Sequence, residues 1–515
     1  MKYLIILLAF LSAVCGYKIL VVFPYPGKSH TILGEGYVKH LLRADHEVTY
    51  ITPVLLKPHP KLRQVDVSSN IKKFALTELV DIKKLLKKEV DFSDMGEFYN
   101  TMMKVGNTSI THENIQKFLM EDNEKYDVVI AEWLYTELYC GFSAIFNAPY
   151  IWSSSIEPHP MIMTLIDEIH NPAYTPDHVS PIAPPFTFSQ RIGELWRVLS
   201  LFYERWFLKD MEEKVFRDAF GPAAARRGIT LPTLEELKHN SSLIIGNSHV
   251  SLGQALRLPQ NYIPVAGYHI EDEVKPLPEN LQKILDNAPN GVIYFSLGTM
   301  MKSKTMPNEL KKGLLKMFSG LKQTVIWKLE EELKDLPKNV HIVQWAPQQS
   351  ILSHRNCILF ITHGGLLSTT ESLHFEVPVI GIPLFFDQAI NVLRSVQKGY
   401  GLKVDMAYDL PEKLKVAIDE MLGNPKYRQK IKELSLVYHD RPVKPGDALV
   451  HWVEHVIKTR GALHLRSPAL LTPLYQRLYL DLIALILGVL TSVILVLRRL
   501  SGKGEPKHNL KKKNK

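Results

Sequence analysis

Cysteine is scarce in this chain. Only 3 cysteines occur among 515 residues, and the first of them, Cys15, lies in a segment that we expect to be removed. The other two, Cys140 and Cys357, fall in different halves of the chain. Because a folded body of this size buries enough surface without cross-links, the sequence predicts no structural disulfide.

Long hydrophobic runs are also few. Met1 to Gly16 carries one early lysine, an apolar run and small residues near its end. It predicts a secretory signal peptide cleaved after Gly16, with a retained anchor as the alternative. Leu478 to Leu497 is long enough for one tilted transmembrane helix, and Arg498 and Arg499 follow directly. We therefore expect a single-pass membrane protein.

Most of the chain lacks an excess of positive charge. The formal net charge is +9, yet residues 498–515 hold eight basic side chains and one acid. A nucleic-acid-binding protein would carry its basic excess on the folded domain, so no nucleic-acid partner is expected. The basic tail instead follows the positive-inside rule for a cytoplasmic segment. Lys512 and Lys513 resemble the dilysine signal that returns type I membrane proteins to the endoplasmic reticulum, and a basic tail near anionic lipid is compatible with that interpretation.

Two glycosylation sequons would face the lumen in this topology. They begin at Asn107 and Asn240. Since sequons also arise by chance, the sequence leaves the use of each one open.

Strand-like and helix-like segments alternate in two series. The first has strands at 18–23, 46–51, 127–131 and 149–152, with a helix at 34–43. The second has strands at 292–296, 324–327, 340–343, 358–362 and 379–382. Such alternation is typical of α/β folds in which helices cover a parallel sheet. Segment 258–278 is dotted with prolines and predicts the linker between two Rossmann-like, doubly wound domains, 17–265 and 266–440.

The stretch from Trp345 to Gln388 is the most informative. Its pattern predicts a buried strand, a turn at 363–365, a helix at 366–375 and a further strand. The glycines of the turn let the backbone approach a ligand, and the helix start offers free N–H groups to phosphate. Ser368 can add a hydroxyl, and Glu371 can accept hydrogen bonds from ribose. Trp345 offers a flat face to a base.

This stretch resembles the donor-binding signature of the UDP-glycosyltransferases in their membrane-bound animal form (glycosyltransferase family 1, GT-B fold). The resemblance extends to 288–299 and 440–466, and segment 171–176 is similar to insect members. It implies an N-terminal acceptor domain facing a C-terminal UDP-sugar domain, with the helical segment 441–477 packed on the N-terminal domain, then the span at 478–497 and the tail at 498–515. The donor-binding residues that it implies are Ser296, Gly298, Thr299, Trp345, Ala346, Gln348, His363, Gly365, Ser368, Glu371, Asp387 and Gln388.

His30 and Glu132 are the predicted catalytic residues. His30 comes after the first strand and resembles the family's catalytic histidine, which accepts the proton of the acceptor hydroxyl. A loop histidine without a role is the alternative. Many relatives orient this histidine with an aspartate directly after the strand at 127–131. Here Glu132 stands at that position and offers the same charge on a longer arm. Asp127, expected at the far end of the strand, is the weaker candidate.

Two further features bear on the donor. The chain has no Asp-x-Asp pair, the motif with which many glycosyltransferases of the other main fold hold a metal, so metal-independent transfer without a cofactor is predicted. Leu367 stands where many relatives have asparagine, so Ser368, His363 and backbone amides would bind more of the diphosphate, or donor affinity would be lower. Asp387 and Gln388 match the positions that read sugar hydroxyls in relatives, although an aspartate there is also a candidate helix N-cap.

The predicted function is an inverting UDP-glycosyltransferase that conjugates small lipophilic acceptors through a hydroxyl, with UDP-glucose favoured as donor and detoxification as the setting. Two alternatives stay open: an enzyme with one dedicated lipid or hormone acceptor, and a lumenal lipophile-binding protein without turnover. Acceptor choice would depend on 55–123, where the resemblance is vague, and on 152–222. Neither the acceptor nor a homo-oligomeric state follows from the sequence.

Overall fold

The computed structural model describes residues 16–74, 81–87, 89, 95–299 and 303–501. It forms two compact units, which divide between Arg466 and Ser467. Nearly all of the predicted signal peptide and the predicted dilysine signal lie outside the described residues.

Seven parallel strands form the first sheet, in the order β3-β2-β1-β4-β5-β6-β7. Along β1, Leu20 and Val22 enter one buried cluster while Ile19 and Val21 enter another. This alternation is expected where both faces of a sheet are covered. The strands are β1 (Lys18–Val22), β2 (Glu47–Thr52), β3 (Leu62–Asp66), β4 (Val128–Trp133), β5 (Tyr150–Ser154), β6 (Leu243–Gly246) and β7 (Tyr262–Pro264).

Six parallel strands form the second sheet, in the order β10-β9-β8-β11-β12-β13. It too separates two buried clusters, one containing Ile293 and Phe295 and the other Val292 and Tyr294. The strands are β8 (Val292–Ser296), β9 (Thr324–Lys328), β10 (Val340–Val343), β11 (Cys357–Thr362), β12 (Val379–Gly381) and β13 (Gly401–Lys403). The prediction of two Rossmann-like parallel-sheet domains is confirmed.

Helices cover both sheets. In the first half they are α1 (Lys28–Arg43), α2 (Asn70–Lys73), α3 (Ile82–Leu86), α4 (Met95–Ile110), α5 (Glu113–Glu121), α6 (Gly141–Phe146), α7 (Pro160–Met163), α8 (Phe188–Arg227) and α9 (Leu234–Lys238). In the second half they are α10 (Glu279–Asp286), α11 (Asn308–Ser319), α12 (Gln348–Leu352), α13 (Leu366–His374), α14 (Gln388–Gln397), α15 (Leu410–Gly423), α16 (Lys426–His439) and α17 (Pro445–Lys458). Leu449, Val453 and Val456 of α17 join the cluster that holds Ile19 and Val21, so α17 packs on the first sheet.

Several boundaries differ from those predicted. Helix α1 begins at Lys28 rather than Gly34, so His30 lies in its first turn and not in a loop. Strand β4 runs from Val128 to Trp133 because β5 continues to pair with it as far as Ser154. Glu132 therefore lies inside the strand rather than after it.

Some elements were not predicted at all. Segment 258–278, expected to be an irregular linker, contains the short edge strand β7. The 40-residue helix α8 was also missed, although Thr187 and Gln190 form a capping box at its start and Gly228 ends it in a left-handed conformation. Pro222 lies inside this helix, and a proline there argues against a continuous helix when only the sequence is read.

The second unit contains α18 (Leu474–Arg477) and α19 (Leu480–Ser501). Among the described residues, α19 alone is long and apolar enough to cross a membrane. It begins two residues later than the predicted span, and Arg498 and Arg499 lie in its last turn rather than beyond it. Arginine is a good helix former and its charge suits a helix C-terminus, so the helix continues through both.

Candidate active site

The two sheets share one feature that positions a site. In each sheet the strand order reverses beside the first strand, between β1 and β4 and between β8 and β11. Ligands of open α/β sheets bind beyond the carboxyl ends of the strands at such a reversal. His30 follows β1 and Glu132 lies near the end of β4, whereas Ser296 ends β8 and His363 follows β11.

A cleft of about 670 Å³ lies at these strand ends, lined by residues of both domains. This volume is in the range of sites for small ligands and cofactors. Of the predicted site residues, Glu132 alone does not line it. Those that do are His30, Ser296, Gly298, Thr299, Trp345, Ala346, Gln348, His363, Gly365, Ser368, Glu371, Asp387 and Gln388.

His30 and Glu132 are in direct contact. The Nδ1 atom of His30 faces a carboxylate oxygen of Glu132. The His30 side chain is 14% exposed, whereas that of Glu132 is fully buried. If Nδ1 carries the proton donated to the carboxylate, Nε2 is unprotonated and available to a hydroxyl in the cleft. The pair therefore has the arrangement of a base and its orienting carboxylate.

Tyrosine rings surround this pair. The ring of Tyr25 meets the His30 imidazole edge to face, with centroids 4.7 Å apart. Gly27 fits between them, since a Cβ there would lie 2.5 Å from the Tyr25 ring. Burial raises the pKa of Tyr25 and Tyr37, and the charge of Glu132 raises both further. These phenols thus stay neutral, and they leave His30 as the basic partner of the carboxylate.

Asp127 lies at the opposite end of β4. Its carboxylate accepts a hydrogen bond from the backbone N–H of Lys18, the first residue of β1, at 2.8 Å. Five residues of extended strand separate it from Glu132, roughly 16 Å at the usual rise. Asp127 therefore cannot contact His30.

Trp345 lies at the mouth of the cleft with an open indole face. Its side chain is 59% exposed, and the ammonium of Lys28, on α1, lies 5.5 Å from the ring centroid. Lys28 was not predicted as a site residue. The two domains therefore meet at a flat aromatic surface of the kind on which a base can stack.

Beside Trp345, polar side chains form a buried network. The amide of Gln348 donates to the Ser368 hydroxyl at 3.1 Å and to Glu371 at 2.6 Å. Gln349 donates to the other Glu371 oxygen at 3.1 Å, and the His269 imidazole lies 3.5 Å from that oxygen. Because Ser368 accepts in this network, its own proton remains available to a ligand. Gln349 and His269 were missed, since no local pattern marks either residue.

His363 is held between two glycines. A Cβ on Gly298 would lie 2.6 Å from the imidazole, and one on Gly365 would lie 2.5 Å from it. Gly298 also has a φ of +81°, which favours glycine. Burial and the nearby Lys328 ammonium lower the pKa of His363 to about 4. The imidazole is therefore neutral at pH 7 and can donate only one N–H.

Asp387 and Gln388 begin α14 on the far side of the cleft. Asp387 occupies the N-cap position but its side chain caps no backbone N–H. It accepts instead from Asn391 at 2.8 Å, and burial raises its pKa. The side-chain oxygen of Gln388 accepts from the backbone N–H of Leu384 at 2.9 Å. The capping alternative for Asp387 is thus not realised, and the carboxylate still lines the cleft.

Leu367, the departure from the family's asparagine, faces the first domain. It lies in the first turn of α13 and lines the cleft. It packs on the apolar cluster that contains Leu33 and Tyr268. The position thus provides a hydrophobic contact between the two domains instead of a hydrogen-bond donor.

A polar relay on the acceptor side was also missed. Tyr135 lines the cleft with a φ of +54°, and its hydroxyl contacts Nε2 of His178. The other imidazole nitrogen of His178 lies 3.0 Å from Asp177. Burial opposes ionisation of Asp177, but the charge of His178 and the hydrogen bonds outweigh it and lower the pKa of Asp177. The three residues hold a phenol at a fixed place in the cleft.

Comparison with known proteins agrees with this geometry. The family described as "UDP-glucoronosyl and UDP-glucosyl transferase" matches residues 18–514. UDP-glycosyltransferase UGT5 of Dactylopius coccus is 33% identical over 507 residues, which cover 96% of this chain and 93% of the relative. UDP-glucuronosyltransferase 2B10 of Homo sapiens is 29% identical over 399 residues, which cover 76% and 72%.

Solved structures support the fold. The calicheamicin glycosyltransferase CalG4 has a TM-score of 0.55 at 16% identity, with coverage of 86% of this chain and 98% of that one. At this identity the likeness concerns the fold alone, which is GT-B. The match over nearly the whole chain and the relative at 33% identity go further. This chain belongs to the UDP-glucuronosyl and UDP-glucosyl transferase family and is a UDP-glycosyltransferase.

Proposed function

We propose that this enzyme transfers glucose from UDP-glucose to a hydroxyl group of small lipophilic acceptors, with inversion at the anomeric carbon. The observation that carries the proposal is the contact between His30 and Glu132 at the strand ends that face the donor-binding motif. A base held there faces a nucleotide-sugar site across one cleft, which is the arrangement that direct displacement requires.

The residues of the cleft suggest how the transfer proceeds. Nε2 of His30 takes the acceptor proton, the hydroxyl oxygen forms a bond to the anomeric carbon, and the bond from that carbon to the diphosphate breaks. Glu132 stabilises the imidazolium that forms. The departing UDP takes its negative charge to the start of α13, where backbone N–H groups, His363 and Ser368 can donate.

Glucose is favoured over glucuronate by the charges of the cleft. Among the described residues that line it there are four lysines and no arginine. Lys39 and Lys275 both contact Glu271, and Lys328 donates to the backbone oxygen of Gly298 at 2.6 Å. The fourth, Lys28, lies at the base-stacking surface of Trp345. None of the four is placed to pair with a sugar carboxylate, which supports a neutral hexose as the donor sugar.

The acceptor side of the cleft is largely apolar. It is lined by Ile32, Leu33, Met102, Leu134 and Ile156, and the hydroxyl of Tyr135 adds a polar group. Such a lining suits planar or lipophilic alcohols and phenols, as expected for an enzyme of detoxification. A single dedicated lipid or hormone acceptor is the second candidate.

Metal-independent transfer is part of the proposal, because the start of α13 together with Ser368 and His363 can neutralise the diphosphate without an ion. A chelator such as EDTA should leave the rate unchanged. A rate restored only by Mg²⁺ or Mn²⁺ would contradict this part.

We further propose that the enzyme is a type I protein of the endoplasmic reticulum membrane. The support is the apolar helix α19, the basic residues that follow it, and the signal-like residues 1–16. Both domains would then face the lumen, and only residues from about Arg498 onward would face the cytoplasm. In sealed microsomes a protease should remove an epitope at the C-terminus and spare the body. Loss of the body in intact vesicles would contradict this topology.

One experiment decides the reaction. Membranes containing the full chain are incubated with labelled UDP-glucose or UDP-glucuronate and a panel of phenols and alcohols, and the products are examined by NMR. We expect glucosides of inverted configuration. Faster conjugation from UDP-glucuronate in direct competition would overturn the donor assignment, and a retained configuration would overturn single displacement. Turnover of only one acceptor in the panel would favour the dedicated enzyme.

A further inference from the structure

Helix α8 carries an unusual surface. Between Phe188 and Phe207, nine large apolar or aromatic side chains are between 46% and 71% exposed, among them Trp196, Leu199, Tyr203 and Trp206. Single exposed apolar residues are common, but a continuous group of this size marks an interaction surface. We call the nine side chains the α8 stripe.

The spacing of the stripe shows that it is one face of the helix. At 100° per residue the nine positions fall within about 140° of the circumference. The five charged residues of the same stretch all fall outside that arc. On the opposite face Val198 and Leu201 are buried against the protein. The helix therefore has two apolar faces: one is buried in the core and the other is exposed on the surface.

We propose that the α8 stripe rests in the interfacial layer of a lipid bilayer. Tryptophan and tyrosine prefer the level of the lipid headgroups, and the stripe contains two tryptophans and one tyrosine among its nine residues. Arg191 lies beside the stripe, with its guanidinium 5.8 Å from the centroid of the Phe188 ring, and offers a cation to anionic headgroups. Nineteen residue steps of helix give the stripe a length of roughly 30 Å, enough to lie along a membrane surface.

The covalent tether makes a bilayer the nearest partner. Only residues 467–479 separate the body, which ends at Arg466, from the span-like helix α19. Fully extended, such a segment reaches at most about 45 Å. If α19 crosses a membrane, the body can never leave its neighbourhood, and the local lipid concentration at the stripe is high. Because it relies on this tether, the inference rests on the proposed transmembrane span.

A second copy of the chain is the other candidate occupant. The stripe is convex and roughly 30 Å by 10 Å, about 300 Å², whereas a stable interface buries about 800 Å² per partner. A bilayer needs no complementary shape and takes up the apolar face of a helix to a depth of about 5–10 Å. The geometry thus favours lipid. Since α8 packs on α4, which contributes Thr101 and Met102 to the cleft, a bilayer contact would also bring the acceptor side close to dissolved lipophiles.

Site-specific fluorescence tests the proposal on the full chain. Cys140 and Cys357 are buried, so a cysteine introduced on the surface can be labelled selectively once Cys15→Ser has been added. Three variants, Leu199→Cys in the stripe, Val416→Cys on α15 and Leu490→Cys in α19, carry the fluorophore NBD. All three positions are well exposed in the protein, by 52%, 69% and 53%. Each variant is reconstituted into phosphatidylcholine vesicles with or without a doxyl-labelled lipid quencher.

We expect the label at Leu199→Cys to lose about half of its emission or more to the lipid quencher, since an interfacial helix sits within reach of the acyl chains. The label at Val416→Cys should be quenched only by aqueous iodide. If the label at Leu199→Cys behaves like that at Val416→Cys, the proposal is wrong. Protection from iodide without lipid quenching would mean that a second copy covers the stripe, which also overturns it. An unquenched label at Leu490→Cys would refute the span instead, and the result at Leu199→Cys would still decide the stripe.

Discussion

The two sides of the cleft are built in different ways. On the proposed donor side, the predicted residues from Trp345 to Gln388 lie within 44 consecutive positions, on the unit β11-α13-β12 and directly before and after it, together with the end of β8. On the acceptor side, His30 meets Glu132 across 102 positions of sequence, and Tyr135 meets His178 across 43. Local backbone geometry fixes the first arrangement, whereas the order of strands in a sheet fixes the second. The donor-side residues could therefore be predicted from one stretch of sequence. The acceptor-side contacts join residues that are distant in the sequence, so they depend on the order of the strands.

Removing His30, the proposed base, should have the largest effect and should affect turnover rather than UDP binding. For His30→Ala we expect turnover to fall by about 10²–10⁴-fold, the usual contribution of a general base. UDP binding should persist, because the predicted donor-binding residues belong to the other domain. Steady-state kinetics measure the loss of turnover, and calorimetry separately measures the UDP affinity that should be retained. A parallel loss of UDP affinity would show that the two sides are not independent.

Glu132 should act through His30. Glu132→Gln should slow turnover strongly, and Glu132→Asp should retain more activity than Glu132→Gln because the charge is kept. The double variant of His30→Ala and Glu132→Gln should be little worse than His30→Ala alone, as for residues that work as a unit. Asp127→Asn is the matched control, since its carboxylate binds the backbone of Lys18. Inactive but folded Asp127→Asn, with near-normal Glu132→Gln, would contradict the role of Glu132 and the strand geometry that keeps Asp127 away from His30.

A smaller loss should follow from a methyl group on the donor side. In Gly365→Ala the new Cβ would lie 2.5 Å from the His363 imidazole. His363 must then move, which in a packed site costs about 1–3 kcal/mol. We expect the KM for UDP-glucose to rise by about tenfold or more, and the acceptor KM to change little. Gly193→Ala on α8, where a Cβ would meet nothing within 4 Å, is the control. Equal effects in both variants would mean that the glycine matters only for stability.

Strands could be predicted where their residues form a dense local pattern. The parallel strands β1, β8, β10 and β11 carry dense apolar, β-branched runs, and sequence reasoning found them within a residue or so. Strands β3 (LRQVD), β7 (YIP) and β13 (GLK) hold at most two consecutive apolar residues, so their pattern is too weak to distinguish from loop. The four-residue strand β6 (LIIG) was also missed. Helix α8 was missed because both of its faces carry apolar residues, so no single stripe indicates a helix, and because Pro222 near its end argues against a helix when only the sequence is read.

The site residues, too, could be predicted only where a local motif or a family resemblance marked them. His30 and Glu132 were predicted because a resemblance supplied their roles, and their contact could be expected only once β1 and β4 were taken as neighbours. His269 and the Tyr135 relay had no such support. Their side chains are brought to the cleft by loops whose course depends on tertiary packing, for example the left-handed backbone at Tyr135. No periodicity or motif encodes that placement.

Tyr135 offers a finer test of the acceptor side. Tyr135→Phe removes one hydroxyl and leaves the ring, so the loss should be about one net hydrogen bond, or roughly fivefold in acceptor KM. Donor KM should stay within error. His178→Phe should produce the same acceptor effect, because it frees the phenol that the relay holds. Kinetics with a phenol and an aliphatic alcohol would measure both. An unchanged acceptor KM in Tyr135→Phe would exclude the phenol from acceptor binding.

The smallest expected effect concerns the two sequons, which both lie in the first half of the chain. Asn240 is exposed in the loop before β6, where its side-chain oxygen contacts Arg466. Asn107 is only partly exposed within α4. Because the third residue is buried in both sequons, Ser109 and Ser242, only the exposure of the asparagine distinguishes them. A glycan is bulky and needs solvent, so we expect one at Asn240 and none at Asn107, with turnover unaffected. On a gel, Asn240→Gln should remove the shift that glycosidase treatment causes, whereas Asn107→Gln should leave it. A glycan confined to Asn107 would contradict the packing of α4, and the absence of any glycan would contradict the prediction for Asn240.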